Sequence, residues 1–277
     1  MISASRYVLG LILLLALQTA SASPFPGYRP RAASTVKVLV QNTAVRTSSR
    51  ATTYCSEAQV TSIKQAIRDL QLLAGAAEKV LSATGAFQSS PVKAYLGDIT
   101  ANALTSLVNL RYTNVKNFWA GVDIALEEVT DTTAEDNSLY LYCPPSSTKA
   151  CSSTYGTSYA FASIKGEADA MLNEIAFCPK SFEGHPLADQ TRSFQRQKTI
   201  DKFTAPSTLG LVLLHESQHS ITVMQTTDMS NVLEDVNKAS ALTPQTCSAL
   251  DPADKLKNAE NVALLAFVAY AGPDRFT

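Results

Sequence analysis

Six residues without a charged or hydrogen-bonding side chain, Leu209-Gly-Leu-Val-Leu-Leu214, run directly into His215-Glu216-Ser217-Gln218-His219. This junction constrains the chain more than any other feature. The span from Ser207 to about Thr222 reads as a buried helix, and residues four apart on a helix share one face. The imidazoles of His215 and His219 therefore point the same way, with the Glu216 carboxylate beside them. Two imidazoles at this spacing form a donor pair for zinc, and the adjacent carboxylate can take a proton from a metal-bound water. Only three histidines occur in the chain, and two fall in this motif. The third, His185, lies in a polar stretch and reads as a solvated loop residue. An amphipathic helix with solvated His and Glu is the plain alternative, and the placing of two of three histidines on a segment that reads as a buried helix weighs against it.

The N-terminus carries Arg6, an uncharged apolar run from Val8 to Leu17, and a small-residue stretch ending Ala20-Ser21-Ala22. That is the layout of a signal peptide spanning 1–22. The run is about half the ~20 residues a membrane helix needs, so no stable membrane anchor is expected after cleavage. The expected location is extracellular. Five cysteines on an oxidising export route imply disulfides with one thiol left over. A net charge of −1 argues against nucleic acid as a main partner, because phosphate binding wants a basic surface. Residues 23–52 read as a propeptide or an N-terminal extension with one β-like run, Val36 to Val40, and 53–277 as one domain.

Within that domain, Val60, Ile63, Ile67, Leu70, Leu73, Ala77 and Val80 recur at steps of three and four, which predicts a long helix over 56–83. A second helical stretch opens at Pro91 and runs to Leu110, and a third spans Val115 to Val129. Short aromatic runs at 139–143, 159–162 and 174–178 read as strands. The stretch 183–202 reads as a polar surface loop, and 252–271 as a closing helix. Helices, then strands, then helices is an α+β order.

A third donor is needed to complete a catalytic zinc site. Gln225 stands where a motif extended by a third histidine would place it. Glu234 and Glu260 are downstream carboxylates. His215-Glu-x-x-His219 followed by Thr226-Thr227-Asp228 resembles the aspzincins, the deuterolysins and fungal peptidyl-lysine metalloendopeptidases. Asn258-Ala259-Glu260 through Phe267, and Thr53-Tyr54-Cys55 before a long helix, are also similar to that family. The resemblance covers roughly 53–270 and is loose outside the motif.

The resemblance makes Asp228, nine residues past His219, the third zinc ligand, with Glu216 as general base. It puts Glu260 against a substrate ammonium and Asn231 where the family has an oxyanion-binding Tyr. It also pairs Cys55 with Cys143 and Cys151 with Cys178, leaving Cys247 over. Gln225, Asn231 and Val232 depart from the family signature, and Ala263 stands where lysine-specific members carry a second acid. The implied fold is zincin-like: helices flanking a small antiparallel sheet, with the motif on a central helix. The implied function is a secreted zinc endopeptidase acting on protein or peptide, favouring lysine-containing sites. The alternative is a weakly active or inactive secreted zinc-binding interaction protein on the same scaffold.

Overall fold

The computed structural model describes residues 35–40, 55–128, 139–146, 151, 160–165, 172–197, 203, 207–225, 231–236 and 243–276. The signal-type segment, most of 23–52, and Asp228 lie outside these residues.

The long helix forms as the apolar stripe requires. α1 (Glu57–Leu81) begins at Ser56, whose side chain and that of Gln59 satisfy each other's backbone N–H groups. Its buried face is Val60, Ile63, Ile67, Leu70, Leu73 and Ala77, joined by Ala66, Ala74 and Leu81. The second helical stretch is split into α2 (Ser90–Leu96) and α3 (Ala101–Val108), because Gly97 takes φ 74° and ends the first. A π-helical turn, Asn109–Thr113, then leads into α4 (Asn114–Ala120).

Five strands form one sheet: β1 (Thr35–Val40), β2 (Asp123–Glu128), β3 (Leu139–Tyr142), β4 (Ala160–Lys165) and β5 (Leu172–Phe177). Their order is β2-β1-β3-β5-β4. The expectation of an antiparallel sheet is corrected here. β1 runs parallel to both β2 and β3, β3 runs parallel to β5, and only β4 and β5 are antiparallel. The reason is connection length. Antiparallel neighbours can be joined by a short turn, whereas parallel ones need a long crossover. β1 and β2 are separated by everything from 41 to 122, including α1 to α4. Only β4 and β5 are joined by a hairpin-length connection. The strand β2 also replaces the end of the helix expected to reach Val129, since pairing with β1 captures Asp123–Glu128.

The stretch expected as a polar loop holds α5 (Leu187–Gln195), which buries Leu187 and Phe194 and pairs Asp189 with Arg192. Next come α6 (Leu209–Ser217), α7 (Ile221–Met224), α8 (Pro244–Ala249), α9 (Pro252–Lys255) and α10 (Ala259–Ala271). α6 is the central helix, packed against α1, α10 and β4. Disulfides join Cys55 to Cys143 and Cys151 to Cys178, the pairs implied by the resemblance, while Cys247 is buried in the core.

Gly210 is what lets α6 approach α1. A Cβ there would lie 2.5 Å from the Asp69 Cβ and 3.2 Å from the Ala66 carbonyl oxygen. Gly210→Ala must therefore push the motif helix off α1, despite alanine's better helix propensity. The expected cost is about 1–3 kcal/mol, read as a lower urea midpoint. An unchanged midpoint would mean the two helices can separate without loss.

Candidate metal centre

α6 starts at Thr208, whose hydroxyl accepts from the Leu211 N–H at 3.1 Å, and it ends at Ser217. This is shorter than the helix expected to reach Thr222. The chain tightens, with the Gln218 and His219 N–H groups donating to the carbonyls of His215 and Glu216. It restarts as α7 under the Ser220 cap. His219 thus sits in a turn just past α6, with its ring centroid 5.0 Å from that of His215. Trp119 holds the helix end in place: its indole N–H donates to the Ser217 Oγ at 3.1 Å.

Three donor atoms converge at one point. His215 Nε2 and His219 Nε2 are 3.2 Å apart, and Asp235 Oδ1 lies 3.1 Å from the first and 3.4 Å from the second. Zinc–nitrogen and zinc–oxygen bonds of roughly 2.0–2.1 Å in a tetrahedron put neighbouring donors roughly 3.3 Å apart. The triangle has that size. The Leu233 carbonyl, which can only accept, takes the Nδ1–H of His219 at 2.7 Å, and Glu260 Oε2 faces His215 Nδ1 at 2.8 Å. With a hydrogen on each Nδ1, both neutral imidazoles present bare Nε2 lone pairs to the same point as Asp235 Oδ1. That is the donor chemistry of a divalent-cation site with its outer partners in place.

The electrostatics follow from the same contacts. Without a metal ion, burial works against charging His215, but the hydrogen bonds to Asp235 and Glu260 outweigh it and hold its pKa well above the usual value, so a cation must displace the Nε2 proton to use that lone pair. Burial alone would raise Asp235, yet His215 and His219 hold its carboxyl well below the usual carboxylate range. Burial pushes Glu216 up, against the pull of the two imidazoles. The Glu216 carboxylate makes no hydrogen bond among the described residues, which leaves it available to a water molecule. The Asp235 side chain is 41% exposed, so the triangle opens to solvent on that side.

Of the residues named from sequence, His215, Glu216, His219 and Glu260 come together. Glu260 meets the site through His215 Nδ1. Asn231 lies at the start of the segment carrying Asp235, and its backbone carbonyl accepts from Arg111 Nη1 at 2.5 Å. Glu234 is exposed and bridges to Asn258 through backbone. Sequence reasoning missed Asp235, which neighbours the Glu234 it did consider. Arg111, which holds the Asn231 carbonyl, is buried on the π-helical turn with its pKa pushed down to about 10 by burial. π-Helical turns are frequent at functional sites, but nothing in the local sequence 109–113 announces one.

No protein-family model and no curated protein matches the sequence. Among solved structures, a zinc peptidase from Grifola frondosa is similar, with a TM-score of 0.46 and 13% identity, over 77% of this chain and 97% of that chain. At that level of likeness, nothing is carried over from that protein to this one.

Proposed function

We propose that this chain is a zinc-dependent endopeptidase in which His215, His219 and Asp235 hold the metal and Glu216 is the general base. The observation that carries this is the 3.1–3.4 Å triangle of donors beside a buried carboxylate with no other hydrogen-bond partner among the described residues. Zinc bound there would act as a Lewis acid, lowering the pKa of a coordinated water towards ~7. Glu216 would serve there as general base towards the attacking water and afterwards as the donor that protonates the leaving amine. Glu260 and the Leu233 carbonyl hold the two imidazoles in the required tautomer. Among the described residues β4 pairs with β5 alone and also contacts α6, so an extended peptide added along the other side of β4 would lie beside the motif helix. The signal-type segment and the two disulfides support secretion.

The test is cleavage of casein by the purified zinc-loaded protein, with a lysine-free peptide alongside for the lysine preference. Glu216→Gln should abolish cleavage while leaving zinc bound, a loss of at least ~10²-fold for a missing general base. Zinc-loaded wild type with no cleavage above the Glu216→Gln background would instead establish a non-catalytic zinc binder.

A further inference from the structure

We infer that Asn258 is a positioning residue for the metal centre, setting where Asp235 stands relative to His215. The inference rests on the metal-centre reading above. Asp235 reaches the histidines from a segment, 231–236, that belongs to no long helix or strand. Its exposed side chain cannot be fixed by packing. What fixes it is the start of α10. The Glu234 N–H donates to the Lys257 carbonyl at 2.9 Å, and the Ala259 N–H donates to the Glu234 carbonyl at 3.0 Å. The Val236 N–H donates to the Asn258 Oδ1 at 3.2 Å. Asp235 is therefore held on both sides, by backbone before it and by the Asn258 side chain after it.

Asn258 is itself immobilised. It is 0% exposed, and its Nδ2 donates to the Asn261 Oδ1 at 2.6 Å. Asn261 in turn donates to the carbonyls of Tyr95 at 2.7 Å and Cys247 at 3.1 Å. Accepting from Val236 and donating to Asn261 needs an amide, which has both kinds of group on one short side chain. Two residues later, Glu260 bonds His215. The single turn 258–260 thus reaches Asp235 on one side and His215 on the other. Losing the Asn258 side chain releases Val236, and so changes where Asp235 stands, while the Glu260 bond to His215 is left in place. Outer partners of this kind commonly govern ~10–100-fold in metal affinity.

The test is zinc affinity of the full chain, measured by competition with a chromophoric chelator, for Asn258→Ala, Asp235→Ala and the double variant. Asn258→Ala should weaken zinc ~10–100-fold. Where Asp235 is already alanine, the same substitution should change affinity less than about threefold, because Asn258 acts through Asp235. The visible spectrum of the cobalt-loaded Asn258→Ala protein should shift towards that of Asp235→Ala, a change that lost stability alone does not produce. If Asn258→Ala does not fold, Asn258→Ser replaces it. A serine can cap α10 but is too short to reach Val236. Unchanged affinity, or equal losses with and without Asp235, overturns the inference. A wild type that binds no zinc overturns the metal-centre reading instead.

Discussion

Asp235→Ala is expected to weaken zinc binding ~10²–10³-fold, while Asp228→Ala is expected to leave the affinity unchanged at about one zinc per chain. Asp235 Oδ1 is the one oxygen within 3.4 Å of both Nε2 atoms among the described residues. Without it, the two imidazoles are what remains of the triangle. A structural zinc site with four ligands is worth about 10–16 kcal/mol, so one ligand of such a set carries about 2.5–4 kcal/mol. That is a ~10²–10³-fold weaker affinity. Metal content after dialysis and chelator competition measure it directly. If Asp228→Ala loses the zinc and Asp235→Ala keeps it, the third ligand is the one named by the nine-residue spacing.

A chain begun at Thr53 is expected to lose cooperative unfolding, and a chain begun near residue 31 to keep it. β1 is not an edge strand. Thr35 to Val40 register against Asp123 to Glu128 on one side, and Val36 to Val38 register against Leu139 to Leu141 on the other. Val36 and Val38 are fully buried. Removing β1 leaves β2 roughly 10 Å from β3, two strand spacings, which no backbone hydrogen bond can span. Losing two buried valines costs about 1.5–3 kcal/mol each before any ladder hydrogen bond is counted. Domains of this kind have only about 5–15 kcal/mol in total. Urea unfolding followed by circular dichroism compares the two chains, and a synthetic peptide of residues 31–42 added to the shorter one should restore the transition. Equal midpoints would mean that 23–52 is removable as a propeptide. A lost transition would mean that the part of it forming β1 belongs to the folded domain.

What the sequence determined by itself is what covalent geometry sets over a few residues. The α1 stripe and the shared face of His215 and His219 follow from 3.6 residues per turn, and the cores of β3, β4 and β5 follow from short aromatic runs between turn signals. The disulfide pairs came from resemblance rather than from spacing. The tertiary structure decided everything that depends on distance between separated segments. Strand direction has no signature in a period of two, so the parallel pairing of β1 with β2 and β3 was not legible, nor was the capture of Asp123–Glu128 as a strand. The approach of Asp235 to the two imidazoles was not legible either. Which carboxylate meets the imidazoles depends on how 231–236 is bonded to the start of α10 and how α10 packs on α6. Those are hydrogen bonds and contacts between residues far apart in the chain, such as Val236 with Asn258 and His215 with Glu260, and no local pattern encodes them.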